Sequence, residues 1–200
     1  EGSYANVHRG LHLLANETTT AFEEARKSAA RFLNAASPDE IIFTAGGTDA
    51  MNLVANSLGQ DMAEGDEIIL SVMEHHSNIV PWHFHRERKG AVLKWVGVAE
   101  DGSFSIEEFE KTLTPRTKIV AITHMSNVLG TVTPVERVVA LAHAHGAKIL
   151  LDGSQAVVHR RVDVAAIGCD FYCFTGHKLY GPTGIGVLWG KLEHLDRMPP

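Results

Sequence analysis

The sequence predicts an α/β fold: a mostly parallel, mixed sheet of seven strands with helices on both faces. Three observations carry that expectation. Short apolar runs alternate with segments whose apolar residues recur at helical spacing, the pattern of strands joined by crossover helices. Several of the strand runs, DEIILSV (66–72) and AKILLD (147–152) among them, are nearly all apolar, so both of their faces need cover. Glycines close the helical segments at Gly59, Gly90 and Gly146.

Each element has its own warrant. TTTAFEEARKSAARFL (18–33) places Phe22, Ala25, Ala29, Phe32 and Leu33 on one helical face, with acids early and bases late. EIIFTA (40–45) is a short strand that runs into Gly46 and Gly47, and TDAMNLVANSLG (48–59) is a mostly buried helix. DEIILSV is the second strand. SNIVPWHFHRERKG (77–90) is a helix whose first turn tolerates Pro81. AVLKWVGV (91–98) is a third strand, and SIEEFEKTL (105–113) opens on Ser105 with Glu108 three residues later, a capping-box pattern. TKIVAITHMSN (117–127) is a fourth strand, and PVERVVALAHAHG (134–146) a helix that starts at Pro134 and stops at Gly146. AKILLD, CDFYCFT (169–175) and GIGVLWG (184–190) complete the sheet. With no internal repeat, low-complexity stretch or linker, residues 1–200 read as one domain.

Bulk properties narrow the function. Apolar residues make up 44% of the 200 residues and charged residues 21%, which is globular composition. A formal charge of −6 with scattered basic residues argues against a nucleic-acid partner; the densest basic run, RERK at 86–89, reads as a solvated helix end. No apolar run reaches the ~20 residues of a membrane span, and no signal-peptide pattern opens the chain. Two cysteines, Cys169 and Cys173, make no disulfide framework, so a reducing, cytoplasmic setting is expected. Four apart on a strand, they should share one face and serve packing. His75, His76, His83 and His85 are close in sequence, but their spacing matches no zinc motif, and no metal is expected. The chain starts at Glu1 without a methionine and stops at DRMPP, so it is expected to be a piece of something longer.

In sheets of this kind ligands bind beyond the carboxyl ends of the strands. Those ends carry GGTDA, MEHHSN, THMSN, DGSQAV and TGHK. Gly47 and Thr48 open a helix, where backbone N–H groups and the dipole make either an anion site or a plain N-cap. Asp152, after the apolar run Ile149, Leu150 and Leu151, needs a cationic or donor partner, unless it only makes an Asx turn with the glycine that follows. Lys178 follows a buried strand and sits among glycines, the setting of an amine able to form a Schiff base. Thr175 and His177 offer donors to a phosphate, and the imidazole of His75 offers a flat stacking surface.

Together TDAMNLVANS, MEHHSNIVPW, THMSNVLGTV, LDGSQAV and DFYCFTGHKLYGPTGIGVLW resemble the class-V aminotransferase superfamily of fold-type-I pyridoxal-phosphate enzymes. Within it, YANVHRGLHLLA and GHKLYGPTGIGVLWGK are most similar to cysteine desulfurases of the SufS/CsdA group, which includes selenocysteine lyases. The resemblance implies the large-domain fold of those enzymes and pyridoxal 5'-phosphate as cofactor. It implies that Lys178 holds the cofactor as a Schiff base, that Asp152 pairs with the pyridine nitrogen, and that Gln155 bonds the ring's phenolic oxygen. It also implies that His75 stacks on the ring, that Thr48, beside Gly47, joins Thr175 and His177 at the phosphate, and that Asn127 lies near the substrate carboxylate. His8 and Arg9 are implied, more weakly, at the substrate end. The implied chemistry converts L-cysteine, or L-selenocysteine, to L-alanine, with sulfur passed to an enzyme thiol and on towards iron–sulfur cluster assembly through an acceptor protein. In the family that thiol lies in a carboxyl-terminal part, together with a substrate-clamping arginine, and the enzymes are homodimers. Neither Cys169 nor Cys173 matches the thiol's position. The chain is therefore expected to be the cofactor-binding large domain, with another class-V activity, aminotransferase or kynureninase-like, or a non-catalytic scaffold as the competing readings.

Overall fold

A computed structural model describes residues 5–199; Glu1, Tyr4 at the head of the YANVHRG motif, and Pro200 lie outside the described residues. The strands are β1 (Ile41–Thr44), β2 (Glu67–Ser71), β3 (Val92–Val96), β4 (Thr117–Thr123), β5 (Lys148–Asp152), β6 (Phe171–Thr175) and β7 (Gly186–Gly190). They form one seven-stranded sheet in the order β1-β7-β6-β5-β4-β2-β3. β7 runs against both of its neighbours, β1 and β6, and the remaining pairs are parallel. The expected mixed, mostly parallel sheet is what forms.

The longer helices are α1 (Leu13–Leu33), α2 (Gly47–Leu58), α3 (Val80–Lys89), α4 (Ile106–Thr112) and α5 (Val135–Ala144), followed by the single turns α6 (Ala156–His159), α7 (Val164–Ile167) and α8 (Leu192–Leu195). Because side chains alternate across a strand, the core divides into two layers. Val120 and Ile122 of β4 face Phe109, Val138 and Ala142 of α4 and α5. Ile119 and Ala121 face Met51 and Val54 of α2 and Trp82 of α3. Among the described residues, no helix is long and apolar enough to cross a membrane, and no group of three or more His, Cys, Asp or Glu side chains is arranged to hold a metal ion.

Three local expectations are corrected. α1 begins before the periodic segment, because the side chain of His12 accepts from the Ala15 N–H and caps it. Its buried positions are Ala15, Ala30 and Leu33, while Phe32 is 44% exposed, so the inward face is rotated from the one the pattern suggests. Ser105 does accept from the Glu108 N–H, but the Glu108 carboxylate crosses to the Gly97 N–H. Cys169 and Cys173 are both buried, yet they lie in opposite layers: Cys169 precedes β6 and packs with Tyr172, whereas Cys173 packs with Phe171. Burial pushes both thiols well above their usual range, so neither is a ready nucleophile.

Candidate active site

The first wall of the site is the turn from β1 into α2. Gly46 caps α2 without a side-chain hydrogen bond, and Asp49 turns back to accept from the Ala45 N–H at 3.0 Å. Neither Thr48 nor Asp49 closes the helix, so its first N–H groups face outward as a positive end. Gly186, at the start of β7, presses against this turn: a β-carbon there would stand 2.3 Å from the carbonyl carbon of Gly46.

The second wall comes from β5 and β6. Asp152 closes β5 at 5% exposure, and its Oδ1 accepts from the Ser154 N–H at 2.9 Å. The Asx turn and the buried carboxylate are thus one feature. Burial raises the pKa of Asp152, and the Ser154 hydrogen bonds together with the charges of Lys178 and His75 pull in the opposite direction. Thr175 closes β6, and a 3-10 turn, Gly176–Leu179, then carries His177 and Lys178. Thr175 Oγ1 and His177 Nδ1 are 3.0 Å apart. Tyr180 ends the turn in the left-handed region at φ 58°.

Beyond β2 the chain makes a second 3-10 turn, His76–Asn78, which His75 caps by accepting from the Ser77 N–H at 3.2 Å. The pieces meet at one cavity of about 140 Å³, lined by Gly47, Thr48, His75, Asp152, Thr175, His177 and Lys178. Sequence reasoning missed three further lining residues, Met51, Ser77 and Ser154. Ser154 carried a signal, the Asx-turn spacing after Asp152. An open recess adjoins this cavity at the α2 end and shares Gly47, Thr48, Thr175 and His177 with it.

Other expected residues lie apart. Asn127 is exposed and lines, with His75, a neighbouring cavity of about 390 Å³ between the ends of β2, β3 and β4. Gln155, half-buried, precedes α6 and is not among the residues that line the Lys178 cavity. His8 and Arg9 are exposed. His8 pairs with Glu23 at 3.0 Å and stands edge-on to Phe22, on α1.

The chemistry of this set is specific. A primary amine and a buried carboxylate face one small space, an imidazole borders it, and a helix start with a hydroxyl and a second imidazole lies at its far end. Such donors fit a flat heterocycle with an aldehyde for the amine, a ring nitrogen for the carboxylate and one phosphate for the helix start. Pyridoxal 5'-phosphate has those three features.

The seven-stranded mixed sheet with its helices is the α/β fold of pyridoxal-phosphate-dependent cysteine desulfurase structures. The chain belongs to the aminotransferase class-V family, which it matches over residues 1–200. Its relatives in that family include cysteine desulfurases. It is 52% identical to a probable cysteine desulfurase of Halalkalibacterium halodurans, over 98% of this chain and 48% of the relative. The crystal structure of the cysteine desulfurase CsdA from Escherichia coli superposes with a TM-score of 0.89 at 41% identity, over 98% of this chain and 49% of that one. A further solved neighbour, C-DES, at 26% identity and a TM-score of 0.86 over 96% of this chain and 51% of that one, carries glycine covalently linked to its pyridoxal-phosphate cofactor. The chain spans about half the length of the curated relatives it matches.

Proposed function

We propose that residues 1–200 are the pyridoxal-phosphate-binding large domain of a cysteine desulfurase. One observation carries the reading: Asp152 and Lys178 line one cavity beside the uncapped start of α2. In this assignment Lys178 Nζ holds the cofactor covalently, and the Asp152 carboxylate faces its ring nitrogen. Gly47, Thr48, Thr175 and His177 hold its phosphate, and the ring of His75 lies against it. Gln155 and Asn127 are assigned to the phenolic oxygen and the substrate carboxylate. His8 and Arg9 are assigned to the substrate side in the assembled enzyme.

When bound, pyridoxal phosphate supplies an electron sink for the charge left on the substrate's α-carbon. The protein's part is positional and electrostatic. With the cofactor in place, Lys178 would be the residue that yields its position to the amine of L-cysteine or L-selenocysteine, and its Nζ would serve as the acceptor of the α-proton. Asp152, held by the Ser154 N–H, would supply the negative charge that favours a protonated ring nitrogen. The substrate sulfur would bond to a receiving thiolate as its bond to the β-carbon breaks, the electron pair staying on the carbon that becomes the methyl group of alanine. Cys169 and Cys173 are excluded from the thiolate's role by burial. The receiving thiol therefore belongs to the remainder of the enzyme, which we assign to a homodimer acting in the cytoplasm and passing sulfur to an acceptor for iron–sulfur cluster assembly.

The test is optical. Purified protein given pyridoxal phosphate should show a visible band that changes on addition of L-cysteine. Protein that stays colourless contradicts the reading. Sulfide release with and without a thiol reductant separates turnover from cofactor binding alone.

A further inference from the structure

Glu74 lies directly before His75, between the ends of β2 and β4, and the chemistry above leaves it without a task. Its carboxyl group is nearly out of reach of solvent, at 9% residue exposure, in a nest of buried neighbours. Oε1 accepts from the Thr123 N–H at 2.9 Å and meets the Ser71 hydroxyl at 2.5 Å. Oε2 accepts from Asn78 Nδ2 at 2.7 Å. The Asn78 amide is itself oriented by Trp82, whose Nε1–H donates to Asn78 Oδ1 at 3.2 Å.

The direction of this chain is fixed. An indole N–H only donates, so Asn78 must turn its oxygen to Trp82 and its NH₂ to Glu74. The Thr123 amide also only donates. Both oxygens of Glu74 therefore face obligatory donors, and a carboxamide at position 74, which has a single acceptor oxygen, would oppose one of them.

The contacts reach the site on two sides. Asn78 ends the turn that His75 caps. Thr123 is the β4 partner of Asp152 in the sheet, and the next residue, His124, donates its N–H to the Asp152 carbonyl at 2.8 Å. We propose that Glu74 is a positioning residue: its carboxyl group clamps the ends of β2 and β4 to the His75 turn, and so holds the His75 imidazole and the Asp152 backbone in place at the cavity. Burial, with the Asp152 charge adding to it, lifts the Glu74 carboxyl to about 7 against the hydrogen bonds from Ser71, Asn78 and Thr123. A surface-type role would leave the group in the ordinary carboxylate range.

This inference rests on the cavity being the cofactor site, and the test separates the two. Three proteins are compared: wild type, Glu74→Gln, and the double variant Glu74→Gln/Asn78→Asp. The double variant restores the polarity. The carboxylate introduced at position 78 accepts from Trp82 and from the new amide at position 74, whose oxygen accepts from the Thr123 N–H. Two readouts are taken, the ¹⁵N shifts of the His75 ring in the cofactor-free protein and the affinity for added pyridoxal phosphate. In Glu74→Gln the His75 shifts should move from the wild-type pattern and the affinity should fall by about tenfold or more, the scale of one buried donor left unpaired. The double variant should recover the wild-type His75 shifts and come within about threefold of wild-type affinity. A folded Glu74→Gln protein with wild-type His75 shifts and affinity overturns the proposal. Should Glu74→Gln fail to fold, the double variant decides alone: wild-type His75 shifts support the clamp, and altered shifts in a folded double variant overturn it. Wild-type protein that takes up no pyridoxal phosphate refutes the cofactor assignment, and the His75 shifts still decide the role of Glu74.

Discussion

Asp152 closes β5 and Lys178 stands just past the end of its sheet neighbour β6, and both side chains line the same cavity. The sheet order produces this meeting. Because β5 and β6 are parallel, their carboxyl ends lie at one edge, and the 3-10 turn after Thr175 brings the amine back over it. Replacing Asp152 by asparagine separates its two roles. The amide oxygen still accepts from the Ser154 N–H, so the turn and the melting temperature should stay near wild type. The lost charge should lower pyridoxal-phosphate-dependent exchange of the α-proton of cysteine by about 10²-fold or more, read by deuterium incorporation.

Gly186→Ala tests the packing of β7 on the turn that leads into α2. The added methyl would sit 2.3 Å from the Gly46 carbonyl carbon and 2.7 Å from the Gly47 nitrogen, both backbone atoms that a side-chain rotation cannot clear. Overpacking of this kind costs about 1–3 kcal/mol. Urea unfolding should report that loss, and pyridoxal phosphate should bind more weakly because the start of α2 has moved.

Much of this was legible in the sequence, and the exceptions share a cause. The strand runs and the ligand rule together pointed to Asp152, Thr175, His177 and Lys178, since each ends or follows an apolar run whose direction the crossover pattern sets. What pattern reasoning missed depends on contacts between distant segments. His12 caps α1 although histidine is a poor capping signal. Cys169 and Cys173 have strand spacing, but β6 starts only at Phe171, which sends Cys169 to the other layer. Glu74 carries no signal in the sequence, because its partner Thr123 lies on another strand. Asn127 is expected at the end of a strand, but β4 stops at Thr123, and the turn beyond it carries Asn127 to the neighbouring cavity that it shares with His75.

At the opposite end of the sheet, Asp170 gathers hydrogen bonds from His143 Nε2 and His194 Nε2, each at 2.9 Å, and from the Ile149 N–H at 2.9 Å. Burial alone would raise its pKa, but the His143 and Ile149 hydrogen bonds and the Lys191 charge prevail and hold it at about 2. A depressed carboxylate contributes stability that is present above its unfolded pKa of about 4 and is lost as pH falls through the folded value. Asp170→Asn should therefore cost about 2 kcal/mol at pH 7, and the gap from wild type should close towards pH 2, as measured by denaturant unfolding at several pH values.

His124 gives an acid dependence of its own. Its Nδ1 lies 2.9 Å from the Tyr172 hydroxyl, and burial, aided by the Arg160 charge and opposed by Glu136, lowers its pKa to about 4. The unfolded chain binds the proton first, near pH 6.5, so the neutral histidine's stabilisation is complete above that value and is lost as pH falls towards 4. The loss should reach about 3 kcal/mol. His124→Gln should be less stable than wild type at pH 7 and should lose less between pH 6.5 and 4, read from urea midpoints.

The most direct test of the cofactor site is to find which amine holds the cofactor. Protein incubated with pyridoxal phosphate, reduced with borohydride and digested should yield the pyridoxyl mass on the peptide containing Lys178, and Lys178→Ala should yield neither the label nor the visible band. A label on any other lysine, or a wild-type protein that takes none, would contradict the account.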